Sequence, residues 1–175
     1  MRKHANRTYL FAPGNHERRV EKALGLGSDV VILDLEDAVA VSENEKTRQL
    51  INKGLQQTRN CAAFVRINAY DTDFCFGDIY SIVSKNLDGI VLPKLESSAD
   101  LKSVDWFLGN LERERDLTLG SIELMPIIET AKGAAAIRDI AKTSSRVRRL
   151  GFGGGDYTRD LGGDWTLTQA ELLPI

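Results

Sequence analysis

Short runs of apolar and β-branched residues alternate with longer amphipathic stretches along the whole chain. This alternation is typical of an α/β domain in which helices connect parallel strands. The runs at 30–33 and 90–92 are entirely apolar, as expected for strands that are covered on both faces. We therefore predict six strands in a parallel sheet, at 8–12, 30–35, 62–68, 89–93, 122–128 and 147–152.

Helices are predicted between these strands, at 16–26, 42–55, 73–85, 97–115 and 131–142. Ser42, Ser97 or Ser98, and Thr130 stand at helix starts, where a hydroxyl can cap the first turn. Strand–helix units of this length fit either a (β/α) barrel or an open doubly wound sheet. The first strand–helix turn lacks the G-x-G-x-x-G fingerprint of dinucleotide-binding folds, and no P-loop occurs.

Composition excludes several classes of function. The chain has 175 residues, a net charge of -2 and a pI of about 5.8. These values favour one domain over 1–175 and provide no broad positive field for nucleic acid or an anionic membrane. No apolar run approaches the roughly 18 residues of a membrane span, and the basic start at 1–4 lacks the apolar core of a signal peptide. We therefore predict a cytoplasmic protein with no nucleic-acid or membrane partner.

Cysteine and histidine are scarce. Cys61 and Cys75 form no CxxC pair, which indicates two inert thiols in a reducing compartment. The two histidines, His4 and His16, both lie near the start of the chain. A histidine-rich zinc site or a Ser-His-Asp triad therefore lacks its parts.

Charged side chains follow five successive predicted strands, at the end where a parallel α/β fold carries its working face. They are Asp34, Glu36, Asp37, Arg66, Lys94, Glu129 and Asp156. Any one carboxylate can instead cap the next helix or accept hydrogen bonds from a loop. Several carboxylates at one rim repel each other unless a cation lies between them, and oxygen ligands favour Mg²⁺, with Mn²⁺ as the alternative.

Arg66 and the glycines at 153–155 have two interpretations each. Arg66 can grip a ligand carboxylate in a bidentate fork, or it can form an ion pair with Asp34, Glu36 or Asp37. The glycines can form a tight turn, or they can let backbone N–H groups approach an oxyanion. The two interpretations of Arg66 are compatible, since an ion pair would also orient the guanidinium.

Six stretches carry a resemblance to a known family. They are RTYLFAPGN (7–15), DVVILDLEDAV (29–39), FVRINAYDT (64–72), LDGIVLPKLES (87–97), LMPIIETAKG (124–133) and RRLGFGGGDYTRDLG (148–162). In this order and spacing the chain resembles the citrate lyase β-subunit-like family, within the wider group of HpcH/HpaI-type aldolases and malyl-CoA lyases. The resemblance implies a TIM (β/α)8-type barrel, here incomplete with about six βα units.

The resemblance also implies residue roles. Glu129 and Asp156 fall on the metal ligands, and Arg66 falls on the residue that grips the oxo-acid carboxylate. Glu36 and Asp37 fall on acids that hold metal waters and the arginine, and are counted with Arg66 as catalytic. The remaining expected substrate-binding residues are Glu129, Gly154, Gly155, Arg7 and Lys94, the last two near the thioester or its phosphates.

The implied reaction is Mg²⁺-dependent cleavage of a citryl-, citramalyl- or malyl-thioester into a 2-oxo acid and an acetyl thioester. The implied partners are a small oxo acid and an acyl-CoA or acyl-carrier-protein thioester, in a homo-oligomer that is a trimer or a hexamer. Relatives are longer, and their C-terminal general acid/base has no counterpart here, since the chain ends at 173–175 in the helix after strand six.

Two alternatives remain open. One is a non-catalytic metal- and oxo-acid-binding or assembly protein derived from this family. The other is a Schiff-base aldolase that uses Lys94 at the end of strand four as its nucleophile.

Overall fold

The computed structural model describes residues 6–172. Six parallel strands form one curled sheet, a half-barrel, in the order β1-β2-β3-β4-β5-β6. Each strand pairs with its sequence neighbour, which is the topology of an incomplete TIM-type barrel and not of a doubly wound sheet. The strands are β1 (Tyr9–Pro13), β2 (Val30–Asp34), β3 (Ala62–Arg66), β4 (Gly89–Leu92), β5 (Glu123–Ile128) and β6 (Gly151–Phe152).

Helices alternate with the strands and cover the convex face of the sheet. They are α1 (Glu17–Gly25), α2 (Asn44–Leu55), α3 (Cys75–Ile82), α4 (Ser98–Glu114), α5 (Ala131–Thr143) and α6 (Gly154–Asp160). Short 3-10 helices span Val41–Glu43 and Ala170–Leu172. No helix within 6–172 is both long and apolar enough to cross a bilayer.

Two apolar cores lie on opposite faces of the sheet. The larger one packs the sheet against the helices, and the smaller one fills the concave face with Val30, Ile32, Phe64, Val91 and Ile127. Because side chains alternate along a strand, the residue two positions after Ile32 also faces the concave side of the sheet. The same holds for the residues two positions after Phe64 on β3 and Ile127 on β5. The alternation thus directs the last inward residues of these strands to the carboxyl rim of the half-barrel.

The capping predictions have mixed outcomes. Ser97 accepts a hydrogen bond from Asp100 N, and Thr130 accepts one from Gly133 N, so both predicted caps are confirmed. The predicted cap at Ser42 is wrong, because a 3-10 turn occupies this position and α2 starts at Asn44 without a side-chain cap.

Strand six is shorter than predicted. The β6 strand is limited to two residues, and Val147 makes only an isolated bridge with Leu124. The predicted chain end at 173–175 and the basic stretch at 1–4 lie outside the described residues.

The two cysteines behave as the sequence predicted. Both are buried and neither forms a disulfide. Burial, with Asp78 and Asp71 nearby, raises the pKa of Cys75 to about 12. This thiol is therefore protonated at neutral pH and is not a nucleophile.

A buried ion pair ties α4 to the segment between α5 and β6. Glu112 is fully buried and accepts hydrogen bonds from Arg146 Nη1 at 2.7 Å and Nη2 at 2.6 Å. Its carboxylate also accepts from the backbone N–H groups of Gly120 and Ile122. Arg146 in turn donates through Nε to Asp105 at 2.6 Å. This network joins three segments of the chain on the outside of the sheet and contains no residue that the sequence predicted as functional.

Candidate active site at the carboxyl ends of the strands

The carboxyl ends of β2 and β3 are joined by a bidentate ion pair. The register sets Asp34 and Arg66, the last residues of these strands, side by side. Arg66 Nε donates to Asp34 Oδ1 at 2.7 Å, and Nη2 donates to Oδ2 at 2.6 Å. The ring of Phe11 lies 5.2 Å from the guanidinium carbon. Arg66 is thereby locked in one orientation on the rim.

The loop after β2 folds over this arginine. Asp34 accepts hydrogen bonds from Glu36 N at 3.0 Å and Ala38 N at 3.3 Å, which turns the chain back toward β3. Arg66 Nη1 then lies 3.0 Å from both Glu36 Oε2 and Asp37 Oδ2. All three carboxylates that the sequence offered as ion-pair partners are therefore in contact with the guanidinium. Three of the five N–H donors of the guanidinium make hydrogen bonds, two to Asp34 and one to Asp37, and two remain for a ligand.

Lys94 connects β2 to β5 across the rim. Its ammonium forms ion pairs with Glu36 and, at 3.8 Å, with Asp37. Its backbone N–H donates to Glu129 Oε1 at 2.8 Å. Lys94 has a φ of 48°, in the left-handed region that non-glycine residues rarely adopt. This strained backbone position aims the N–H at the glutamate.

Glu129 is the buried carboxylate of the rim. It directly follows β5, and it is only 4% exposed. Its Oε2 lies so close to Gly153 that a Cβ built on the glycine would be 2.4 Å away. Gly153 therefore admits this oxygen beside the end of β6, and any larger residue would displace the glutamate.

Asp156 reaches the rim from a helix. The β6 strand ends at Phe152, where strand six was predicted to end, and Asp156 lies four residues later in the first turn of α6. Its Oδ1 accepts from Arg159 Nη1 at 3.1 Å. Asp160, near the end of the same helix, accepts from Ala131 N at 2.7 Å, so α6 is held against the segment that follows Glu129.

The electrostatics of the rim are those of crowded carboxylates. Burial raises the pKa of Glu129, and the neighbouring charges of Glu36 and Asp156 raise it further against the effect of Lys94. Burial also raises the pKa of Glu36, although Lys94 and Arg66 oppose this. Burial alone would lower the pKa of Arg66, but Asp34, Glu36 and Asp37 raise it well above its ordinary value. The arginine is therefore charged at any accessible pH.

These residues suit magnesium better than zinc. Among residues 6–172, no three His, Cys, Asp or Glu side chains are arranged to surround a metal ion. Mg²⁺ needs no such cage, because it keeps several waters and is held by one or two carboxylates. Glu129 and Asp156 can supply these carboxylates, since they are close enough for the charge of one to raise the pKa of the other. A divalent cation between them would remove this repulsion.

A cavity of about 330 Å³ lies beside the arginine, lined by Phe11, Ala12, Pro13, Asp34, Ala38 and Arg66. Its wall combines an aromatic ring, small apolar groups and the guanidinium, which suits a small carboxylic acid.

Arg7 is not part of this constellation. It precedes β1, and its backbone N–H and side chain contact Asp29, which precedes β2. Both residues lie at the amino ends of the strands, on the side of the sheet away from the rim. Arg7 is the one sequence-predicted site residue that the structure does not bring to the others.

Gly154 and Gly155 also differ from their expected role. Both lie in the first turn of α6, and a Cβ added at either position would first meet the side chain of Trp165. Gly153 is the glycine that contacts Glu129, so the close backbone approach occurs one residue earlier than Gly154. The substrate-binding roles of Gly154 and Gly155 stay predictions.

Two residues of the site were missed by sequence reasoning as functional residues. Asp34 was only one of three candidate partners for Arg66, although its burial at the end of an apolar run was a signal. Asp160 carried no signal, because its hydrogen bond to Ala131 N joins positions 29 residues apart. Both hold other site residues in place.

Replacing Lys94 separates its backbone from its side chain. We expect the free energy of unfolding of Lys94→Gly to exceed that of Lys94→Ala by about 1–2 kcal/mol. The reason is that only alanine has a Cβ, which the left-handed backbone strains. Both variants lose the ammonium on Glu36, so urea denaturation of the pair isolates the backbone effect. Equal midpoints would show that the φ of Lys94 carries no strain.

The chain has relatives of known identity. The model of a family described as HpcH/HpaI aldolase/citrate lyase matches residues 7–175. Citrate lyase subunit beta of Leuconostoc mesenteroides subsp. cremoris is 34% identical over 157 residues, which are 89% of this chain and 52% of the relative. The L-malyl-CoA/beta-methylmalyl-CoA lyase of Cereibacter sphaeroides is 34% identical over 164 residues, 90% of this chain and 51% of the relative.

A solved structure agrees with these matches. The citrate lyase beta subunit of M. tuberculosis, complexed with oxaloacetate and magnesium, is similar with a TM-score of 0.70 and 29% identity. The match covers 89% of this chain and 61% of that one. The chain thus spans about half the length of the curated relatives it matches.

Proposed function

Because the chain belongs to the HpcH/HpaI aldolase/citrate lyase family, we propose that it is a Mg²⁺-dependent carbon–carbon lyase. It cleaves a hydroxyacyl thioester, of citryl, citramalyl or malyl type, into a 2-oxo acid and an acetyl thioester. The observation that carries this proposal is the buried carboxylate of Glu129, whose pKa is raised by burial and further by Glu36 and Asp156. It lies at the rim where Arg66 is held by Asp34.

Glu129 and Asp156 would hold the metal. When bound, Mg²⁺ polarises the oxygens of the acid and stabilises alkoxide charge. Mn²⁺, which shares this preference for oxygen ligands, is the alternative metal. The relative complexed with magnesium supports a divalent ion at this rim.

Arg66 binds the carboxylate of the oxo acid through its two remaining N–H donors. Its orientation comes from Asp34, and Glu36 and Asp37 complete the frame. This preorganisation matters because a charge that is already fixed in place costs no reorganisation when negative charge develops on the substrate. Lys94 holds Glu36 and, through its backbone, Glu129.

The thioester is carried by CoA or by an acyl-carrier protein. One curated relative is named as a lyase of CoA thioesters and another as a citrate lyase subunit, which supports this class of substrate. A trimeric or hexameric assembly, which the family resemblance implies, and a cytoplasmic location, which the composition favours, stay predictions.

The Schiff-base alternative finds no support in the geometry. A nucleophilic lysine must be neutral, whereas the Lys94 ammonium is paired with Glu36 and Asp37. Burial alone would lower the pKa of Lys94, but Glu36 and Asp37 raise it above its ordinary value. This amine is therefore protonated at neutral pH.

A lyase assay tests the proposal. Citryl-, citramalyl- and malyl-CoA, and a citryl-carrier protein, are offered with Mg²⁺ and again after treatment with EDTA. We expect cleavage of at least one thioester that EDTA abolishes and added Mg²⁺ restores. Full activity after metal removal would refute the role of the metal.

A second candidate is a non-catalytic protein that binds the metal and the oxo acid. It needs only the carboxylates of Glu129 and Asp156 and the guanidinium of Arg66, and no group that transfers a proton. This candidate predicts that Mg²⁺ plus oxaloacetate raises the melting temperature while no thioester is cleaved. Turnover of any thioester would exclude it.

Exchanging Arg66 for lysine tests whether the guanidinium binds the carboxylate of the oxo acid in a bidentate way. Arg66→Lys keeps the charge but loses the bidentate geometry, so oxaloacetate binding in the presence of Mg²⁺ should weaken at least about tenfold. Isothermal titration calorimetry measures this loss, with the exposed Arg138→Lys as the matched control. Unchanged affinity in Arg66→Lys would exclude Arg66 as the carboxylate clamp.

A further inference from the structure

Asp78, in the first turn of α3, is a fully buried carboxylate that lies outside the candidate active site. Its Oδ1 accepts a hydrogen bond from Arg48 Nε of α2 at 2.8 Å. Its Oδ2 accepts two more, from the backbone N of Asn68 at 2.9 Å and from Asn68 Nδ2 at 2.8 Å. Asn68 comes two residues after Arg66, in the loop that follows β3. The carboxylate therefore joins α2 and α3 to the carboxyl rim.

Stability alone does not account for a carboxylate at this position. Helix periodicity puts Cys75, Ile79 and Ile82 on the same buried face of α3 as Asp78. An apolar residue would continue that face, and replacing a buried ion pair by apolar residues is often neutral or stabilising. An apolar residue could not accept the three hydrogen bonds that Asp78 receives. The carboxylate therefore indicates a role in fixing geometry.

The side-chain amide of Asn68 is held in one orientation. Its Nδ2 donates to Asp78 Oδ2 and, at 3.2 Å, to Leu35 O. Both of these atoms are acceptors, so only the NH2 end of the amide can lie between them. Asp78 thus binds one proton of this NH2 group, and the other proton is directed at Leu35 O.

The backbone of Leu35 passes this orientation on to the rim. Leu35 is fully buried between the end of β2 and Glu36. Its N–H donates to Arg66 O at 2.8 Å, and its carbonyl accepts from Asn68, so both groups are held by the end of β3 and the loop after it. Leu35 O and Glu36 N belong to one peptide unit, and the side chain of Glu36 lies 3.0 Å from Arg66 Nη1. The hydrogen bond from Asn68 therefore helps to set where Glu36 meets the guanidinium.

We propose that Asn68 and Asp78 are positioning residues of the candidate active site, an inference that rests on the proposed lyase function. Asp78 orients the amide of Asn68, and this amide fixes the peptide between Leu35 and Glu36. Glu36 is thereby held against Arg66. The two free N–H donors of the guanidinium are then directed at the oxo acid before it binds, so that no rearrangement is needed.

Calorimetric titration of the full chain with oxaloacetate and Mg²⁺ tests the role of Asn68. We expect Asn68→Ala to bind oxaloacetate at least about tenfold more weakly than the wild type, because the peptide before Glu36 is no longer fixed. Asn52→Ala is the matched control. The amide of Asn52 also donates to a backbone carbonyl, that of Ser81, but it joins α2 to α3 without contact to the loop after β2. Wild-type affinity in Asn68→Ala, or an equal loss in Asn52→Ala, would overturn the inference.

Two variants of Asp78 separate positioning from stability. In Asp78→Asn the amide oxygen can still accept both hydrogen bonds from Asn68, whereas Arg48 loses its buried carboxylate. We expect this variant to unfold at lower urea and yet to bind oxaloacetate as the wild type does. Asp78→Ala removes the acceptor of Asn68 as well, and it should bind at least about tenfold more weakly. Equal affinities in these two variants would exclude Asp78 as a positioning residue, and Asn68→Ala keeps the inference testable if Asp78→Ala does not fold.

Amide hydrogen exchange without ligand separates this inference from the proposed function. The N–H groups of Glu36 and Ala38 donate to Asp34, so their exchange reports on the loop after β2. In Asn68→Ala these two amides should exchange at least about tenfold faster, while the amide of Ile32 within β2 keeps its wild-type rate.

The two measurements together give distinct outcomes. If the wild type binds oxaloacetate, and Asn68→Ala changes neither the affinity nor the exchange, the inference fails and the proposed function stands. If the wild type does not bind oxaloacetate, while Asn68→Ala speeds exchange in the loop after β2, the proposed function fails instead.

Discussion

Replacing Glu129 with glutamine is expected to weaken Mg²⁺ binding at least about a hundredfold while leaving the folded structure intact. The amide keeps the shape of the side chain, so it can still accept from Lys94 N and fit beside Gly153. Only the charge is lost. Because Glu36 and Asp156 repel the charge of Glu129, its removal should leave the free energy of unfolding unchanged or slightly raised.

Two measurements on Glu129→Gln distinguish a metal ligand from a residue that only stabilises the fold. Calorimetric titration with Mg²⁺ reports the metal, and urea denaturation without metal reports the fold. Glu96→Gln is the matched control, since within residues 6–172 Glu96 forms an ion pair only with the exposed Lys132. Normal Mg²⁺ affinity in Glu129→Gln would remove Glu129 from the metal site, and lost stability with normal affinity would make it structural.

Replacing Glu112 with alanine is expected to destabilise the fold by about 3–5 kcal/mol, because the buried Arg146 loses its bidentate partner and keeps a single ion pair, from Nε to Asp105. Gly120 N and Ile122 N lose their acceptor at the same time. A typical domain has a total stability of about 5–15 kcal/mol, so this loss is a large fraction of it. Urea denaturation measures the change.

A double variant keeps this prediction testable if Glu112→Ala does not fold. Glu112→Leu/Arg146→Met removes both charges, and it should recover most of the loss. Lys132→Ala, which breaks an exposed ion pair, is the control and should leave the urea midpoint unchanged. A double variant as unstable as Glu112→Ala would show that the lost acceptor of Gly120 N and Ile122 N, and not the charge of Arg146, sets the cost.

The same pair predicts a pH dependence. Burial alone would raise the pKa of Glu112, but the hydrogen bonds from Arg146, Gly120 and Ile122 lower it below the ordinary value of 4.5. The pair therefore stabilises the fold above this ordinary pKa, and its contribution is lost as the pH falls through the lower pKa of the folded state. In Glu112→Gln, urea midpoints measured from neutral to acidic pH should fall less steeply than in the wild type.

The sequence predicted the six-stranded parallel fold because each strand is defined by local patterns. The apolar run at 30–33 and the charged residues directly after it are visible without any contact information. The order of strand ends follows from the parallel arrangement, so Arg66 and Glu129 could be assigned to one rim in advance. Helix boundaries were less certain, and the unused cap at Ser42 shows that a local hydroxyl does not decide where a helix begins.

Partners distant in the chain needed the tertiary structure. Arg66 had three candidate carboxylates in the sequence, and only the packed rim shows that it contacts all of them. Glu112 and Arg146 are 34 residues apart, and no periodicity links them. Arg7 was grouped with the substrate-binding residues by motif, yet strand polarity sets it at the opposite end of the sheet.

The sequence alone thus determined which charged residues lie at the carboxyl rim, because the carboxyl ends of successive parallel strands lie at the same end of the sheet. Which of these groups touch was decided by the packing of loops. Loop packing accounts for three features of the site. These are the left-handed backbone of Lys94, the contact between Gly153 and Glu129, and the position of Asp156 in a helix. Such contacts depend on the loop conformations that bring distant segments together, which local residue patterns do not encode.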